Sequence, residues 1–303
     1  MRGDVMRVVV VGMAYAVVTL PVDTFPVAYR AVRDVPISAS VGGSGFAAAR
    51  TLAALGDEVY LAAPLGEDAE AVAVDVAAYR YGVNSAMCPR SLPRSPRAVV
   101  LEGDGRRHIS RDLGDARSAR VDLDLGALAT SDLVMVDGVL PTAALISSAQ
   151  ATGVPVAAAL GTVSQPPLLE QQPYLGAELL VMGHDGHDEE HLVQTWRRRS
   201  AARLVVLTLG ARGAVGMVQH SEELLHVPAR RLGEGPRPAG LGATYAATLA
   251  HYVFARGCDA RTAMEYAATA AAWTIAHPSE PGGLREDVLE AAAARAGGAA
   301  QAS

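Results

Sequence analysis

Apolar and polar positions along this chain follow two rhythms: short unbroken apolar runs, and longer stretches spaced for helices. Residues 7–12 read Arg-Val-Val-Val-Val-Gly, a β-branched run stopped by glycine. That is the pattern of a strand covered on both faces in a parallel sheet. Comparable strands are predicted at 59–63, 133–137, 154–158, 179–182 and 204–209. Helices are predicted at 69–81, 123–129, 142–152 and 188–199, two of them ending next to a glycine, Gly82 and Gly153. Alternation in units of this length implies right-handed crossovers, with helices on both faces of one sheet. Two alanine-rich helices, at 243–255 and 261–276, suit close packing in the core. Residues 17–41 and 97–111 break the rhythm. The first segment carries Pro21, Pro26 and Pro36 among short alternating pieces, and the second has two β-rich runs flanking Gly103-Asp104-Gly105, a hairpin turn. They predict short strands outside the main sheet, a small β lid drawn from about 15–41 and 96–111. The expectation is one α/β domain over 1–290: a central, mostly parallel sheet with helices on both faces, plus the lid. An amphipathic helix follows Leu284, and 291–303 is expected to be a flexible tail.

Composition narrows the function more than the fold. The chain has 303 residues, half of them hydrophobic, enough for one large domain with a sizeable core. A net charge of −6 implies no broad basic surface for nucleic acid. All 26 residues counted as lysine or arginine are arginine, which excludes Schiff-base or P-loop chemistry that needs a lysine. Cys88 and Cys258 lack a metal-ligand spacing and read as free thiols in a reducing compartment. Residues 1–12 lack the length and cleavage site of a signal peptide, and no apolar run reaches the roughly 20 residues that span a bilayer. The expectation is a cytoplasmic protein with no membrane or nucleic-acid partner.

Two glycine turns open helices. Gly42-Gly43-Ser44-Gly45-Phe46-Ala47 precedes a helix that closes at Leu55-Gly56. Pro238-Ala239-Gly240-Leu241-Gly242-Ala243 precedes the first alanine-rich helix. Such a turn leaves backbone N–H groups unpaired at the positive end of the helix dipole, which suits an anion. A third run, Thr208-Leu209-Gly210-Ala211-Arg212-Gly213, ends a predicted strand.

Together these features resemble the ribokinase/PfkB family of sugar and nucleoside kinases over roughly residues 5–280. The first turn matches the family's Gly-Gly-x-Gly-x-Asn. The second matches Asp-Thr-x-Gly-Ala-Gly-Asp, from Arg237 to Ala243, and the third matches Thr-x-Gly-x-x-Gly. The resemblance implies a ribokinase-like fold, ATP and magnesium as cofactors, and an alcohol phosphorylated beneath the lid. It places the nucleotide at Thr208, Gly210, Gly213, Gly240, Leu241, Gly242 and Ala243, and the substrate at Met13, Tyr15, Val17, Gly42, Gly43, Phe46 and Ala47. The family's polar residues are replaced at five separate sites. The substrate-binding Asp falls at Val17 and the substrate Asn at Ala47. The Asp-Pro-Asn falls at Ala159-Leu160-Gly161, and the magnesium-organising Asn-x-x-Glu at Gly183-His184-Asp185-Gly186. The catalytic base falls at Ala243, so no catalytic residue is assigned.

Loss of a general base alone costs about 10²–10⁴ in rate. Losing the groups that position phosphate and metal removes most of what phosphoryl transfer depends on. Met13, Tyr15 and Phe46 predict a drier pocket, for a ligand flatter and less hydroxylated than a sugar. The leading reading is a pseudokinase, or a scaffold repurposed to bind or transform a small molecule, with or without ATP and magnesium. Two readings stay open beside it: an ATP-dependent sugar or nucleoside kinase with an atypical base, and a structural or partner-binding protein that dimerises through the lid. If 184–191 is helical, His184, His187 and His191 share one face and offer three imidazoles to a metal. The Arg106-Arg107-His108 and 197–199 runs read as solvated faces.

Overall fold

The computed structural model describes residues 5–27, 34–233, 238–277 and 283–300, the last seven by backbone alone. Arg237 of the second glycine turn lies outside the described residues. The first strand, β1 (Arg7–Val11), is the hydrophobic run read from the sequence. Val8 and Val10 join the core on one face of the sheet, and Val9 and Val11 the core on the other, each at most 1% exposed. A strand so covered has no polar side, which is why its pattern is continuous rather than alternating.

The chain then leaves the sheet. β2 (Tyr15–Pro21) and β3 (Ser38–Gly42) form an antiparallel pair, and α1 (Ser44–Ala54) leads back to β4 (Glu58–Ala62), parallel to β1. Next come α2 (Ala69–Arg80), capped by the Asp68 carboxylate on the Ala71 N–H, and the two-residue β5 (Val83–Asn84). β6 (Arg97–Gly103) and β7 (Arg106–Asp112) form the predicted hairpin. Its two turn residues, Asp104 and Gly105, both have positive φ (51° and 66°), as a tight hairpin turn requires. β6 also lies parallel to β2, so the lid is a four-stranded sheet in the order β3-β2-β6-β7.

Alternation resumes with α3 (Leu125–Ala129), β8 (Leu133–Asp137), α4 (Ala143–Ala151), β9 (Val156–Thr162), β10 (Leu179–Gly183), α5 (Glu189–Arg199) and β11 (Leu204–Thr208). Two strands that the sequence reading did not separate follow: β12 (Ala214–Val218) and β13 (Leu224–Val227) extend the sheet antiparallel at one edge. The nine-stranded order is β13-β12-β11-β10-β9-β8-β1-β4-β5, parallel from β11 to β5. The α/β class with a mostly parallel sheet is as expected.

Against one face pack α1, α2, α6 (Leu241–Phe254) and α7 (Ala260–Ala276). α6 is buried along ten consecutive residues, Ala243 to Tyr252, because alanine and threonine let α1 and α7 approach it from either side. α8 (Glu286–Ala300) then takes in most of the stretch expected as a flexible tail. Among the described residues no helix is long and apolar enough to cross a membrane.

Candidate functional site

The lid and the open ends of α1 and α6 enclose a cavity of about 830 Å³. That lies within the range of small-molecule sites. Its walls are set where β1 ends. The chain turns at Gly12-Met13, and α1 begins against that turn. Gly43, at φ 112°, enters α1 so closely that a Cβ there would lie 2.2 Å from the Met13 carbonyl oxygen. Only glycine fits both that φ and that approach.

All seven predicted substrate residues line this cavity: Met13, Tyr15, Val17, Gly42, Gly43, Phe46 and Ala47. Met13 and Phe46 are almost wholly buried, and the Phe46 ring meets Tyr81 edge-on with centroids 6.0 Å apart. The predicted nucleotide residues divide. Gly240 and Ala243 line the same cavity, while Leu241 and Gly242 belong to the same first turn of α6 without lining it. Gly240 is left-handed (φ 86°), no side chain caps α6, and Thr244 N–H returns to the Gly240 carbonyl. The two glycine turns meet directly, for a Cβ on Gly240 would come within 2.8 Å of the Ala47 Cβ. A Cβ on Gly242 would touch nothing within 4 Å, so the helix end is open.

Thr208, Gly210 and Gly213 lie elsewhere, at the end of β11. The Thr208 hydroxyl donates to the Met182 carbonyl, and Gly213, at φ 93°, closes a turn by accepting from Leu209 N–H. Arg212 reaches from this turn to the one after β10, pairing with Glu189 at 2.6 Å and donating to the Gly186 carbonyl. That second turn is where the resemblance expects metal-organising residues. A bond from Glu189's own N–H, helped by the Arg212 guanidinium, lowers the pKa of the Glu189 carboxyl from its usual value.

The histidine trio that a helical 184–191 would offer does not form. His184 follows β10 directly, its N–H bonded to the Thr208 carbonyl, and α5 does not begin until Glu189. Its buried ring is held at Nδ1, while Nε2 makes no hydrogen bond and only approaches a carboxylate. Nδ1 lies 2.9 Å from the Val163 carbonyl oxygen and Nε2 3.0 Å from Asp188 Oδ1. His187 and His191 are exposed and border a separate, open hollow with His226. Among the described residues no group of three His, Cys, Asp or Glu is placed to hold a metal.

Three features escaped the sequence reading. Asp137, at the end of β8, is a buried carboxylate. Its Oδ2 accepts from Met13 N–H at 2.7 Å and from the Ser44 hydroxyl at 2.5 Å, and its Oδ1 accepts from Val139 N–H at 3.1 Å. Burial raises its pKa, while the hydrogen bonds pull the other way. The second feature is a set of arginines. Arg50, Arg80, Arg107, Arg111 and Arg117 all line the cavity. The wall at Met13, Tyr15 and Phe46 is apolar as expected, but the cavity is not dry; Arg106, Arg107 and His108 are exposed as expected, and Arg107 also lines the cavity. The third is what is missing: among the described residues no aspartate or glutamate lines the cavity.

A nucleotide's phosphates suit the open N-terminus of α6, with its unpaired N–H groups. Magnesium does not fit as well, because the cavity offers no carboxylate among the described residues and Arg212 already pairs with Glu189 at the turn after β10.

No family model matches the sequence, and no curated protein matches it by sequence. Solved structures do match by fold. A microbiome-derived acarbose kinase superposes with a TM-score of 0.81 at 20% identity, covering 96% of this chain and 99% of its own. Ribokinase from Arabidopsis thaliana, in complex with ribose and ATP, gives 0.76 at 19%, with the same coverage. Ribokinase from Cryptococcus neoformans, in complex with ADP, gives 0.70 at 17%, again covering 96% and 99%. The fold is ribokinase-like, and its neighbours are ribokinases and carbohydrate kinases.

Proposed function

We propose that this chain uses a ribokinase-like scaffold to bind a small molecule beneath the β lid, and that it does not carry out efficient phosphoryl transfer. One observation carries this reading. Ala243 presents a methyl group to the cavity at the place of the expected base, and no carboxylate among the described residues lines that cavity to replace it. Neither Thr244 nor Tyr245 is a substitute. Both are buried, and burial pushes the Tyr245 phenol well above its usual pKa. The groups that would orient a substrate hydroxyl and neutralise a transferring phosphate are also replaced, at Val17, Ala47 and 183–186.

The test is ADP release from ATP and magnesium with a panel of sugars and nucleosides. The expected outcome is no release above background by the unmodified chain. Sustained turnover would overturn the reading. The A243D variant reports on the rest of the site. ADP release gained by A243D alone means that the scaffold still presents phosphate and lacks chiefly the base.

A second reading, an ATP-dependent kinase with an atypical base, is favoured by Asp137. Its carboxylate holds the hydroxyl of Ser44, which lines the cavity, and its pKa is shifted upward, the direction a base working near neutrality needs. Turnover present in the unmodified chain and lost in D137N would favour that reading instead.

A further inference from the structure

We propose that the molecule bound beneath the lid is an anion, a small metabolite carrying a phosphate or carboxylate group held by arginines. The inference rests on the binding role given to the cavity above, and it adds the ligand's chemical class. A neutral sugar is recognised by paired donors and acceptors, with carboxylates taking hydroxyl protons. This cavity holds the reverse: five arginines, all donors and all positive, and no opposing acid among the described residues. The imbalance stands out in a chain whose net charge is −6.

The five come from separate parts of the fold: Arg50 from α1, Arg80 from the last turn of α2, Arg107 and Arg111 from β7, and Arg117 from the turn that follows it. Arg80, Arg107, Arg111 and Arg117 are exposed at the cavity's mouth, and Arg50 is partly buried. Some surface arginines find acids, as Arg90 finds Asp75 and Arg94 finds Asp112. Arg50, Arg80, Arg111 and Arg117 have no carboxylate within ion-pair reach among the described residues. Arg107 has only a long pairing to Glu102, at 3.9 Å. Arg111 is steered instead by Tyr15, its Nε donating to the phenol oxygen at 3.1 Å. Arg50 is the most enclosed of the set, and burial lowers its pKa, so a charge is kept where solvation is poor and no protein anion compensates it. Such a group calls for an external anion. Guanidinium forks match the geometry of phosphate and carboxylate oxygens. The open N-terminus of α6 at Gly240, in the same cavity, adds unpaired N–H groups with the same preference.

The experiment is arginine modification of the full chain by phenylglyoxal, mapped by peptide mass spectrometry, with and without inorganic phosphate. Phosphate is expected to slow labelling at Arg50 and Arg111 several-fold while leaving Arg197, Arg198 and Arg199 on α5 unaffected. A calorimetric comparison of D-ribose 5-phosphate with D-ribose, and of D-gluconate with D-glucose, separates phosphate from carboxylate as the preferred group. At least one anionic member is expected to bind about tenfold or more tightly than its neutral parent. That preference should fall as salt rises, and fall about tenfold in R50Q. R111Q, on an exposed lid strand, repeats the test where R50Q is unstable. Unchanged labelling in phosphate, together with equal affinity for charged and neutral members of both pairs, would overturn the proposal. ADP release bears only on the absence of phosphoryl transfer. A phosphorylated ligand that is bound and turned over would leave this proposal standing and remove the earlier one.

Discussion

Ala47 and Ala243 each put a methyl group where the resemblance places a polar one, and both were legible from the sequence because glycines fix their register. The arginines that share their cavity were not. Arg50, Arg80, Arg107, Arg111 and Arg117 are spread over nearly seventy positions and follow no motif, and only folding brings them to one cavity. Asp137 was hidden for a similar reason, since a single acid at the end of an apolar run carries no local pattern. The cysteines illustrate the opposite case, in which environment decides reactivity. Cys88 is buried between the Leu61 carbonyl and the Ala63 N–H, and burial pushes its thiol up to about 11. Cys258 is only partly covered. Titration of the folded protein with a disulfide reagent at pH 8 is expected to modify Cys258 alone. Cys88 should react only in denaturant; two fast thiols would mean that the packing around β4 opens readily.

The turns, rather than the strands or helices, decide whether the cavity forms. Gly43 must hold a positive φ and let α1 press on the Met13 carbonyl, so G43A meets both left-handed strain and a collision. The strain alone is worth roughly 1–2 kcal/mol. The urea midpoint of G43A is expected to fall by at least that equivalent, with ligand binding lost alongside. A midpoint equal to the parent's would mean that the turn can rearrange. The condition for the histidine trio is not met at the same level. It required helical spacing across 184–191, but β10 keeps its register through Gly183 beside β11, and His184 is drawn in by the Val163 carbonyl before any helix starts. β12 and β13 were missed because the glycine run at 210–213 read as the end of a strand, when it is a turn back into the same sheet.

Long-range polar contacts tie the last helix to the core. Glu286 at the start of α8 pairs with Arg256 beyond the end of α6. It also lies 3.6 Å from His251 Nε2, while His251 Nδ1 meets the Asp57 carboxylate at 2.8 Å. Arg256 holds the Glu286 carboxyl below its usual pKa. A carboxyl depressed in the folded state contributes stability above its unfolded pKa, and that contribution is lost as pH falls through the folded value. E286Q is therefore expected to melt lower than the parent at pH 7, with the gap closing as pH falls below about 4.5, the ordinary value for glutamate. A gap independent of pH would assign the effect to packing. The layered α/β plan was legible because β1 and the strands beside it are apolar on both faces, but α6, α8 and β4 are joined here by residues nearly two hundred positions apart and more.

The lid also has an outer border. β7 is an edge strand among the described residues, and along its seven residues it carries Arg106, Arg107, His108 and Arg111 with a single acid, Asp112. Bare strand edges tend to adhere to one another, and like charge along the border opposes that tendency. The opposite border, β3, reads Ser-Ala-Ser-Val-Gly and carries no charge at all. The two borders of the lid thus differ in charge, arginine-rich along β7 and uncharged along β3.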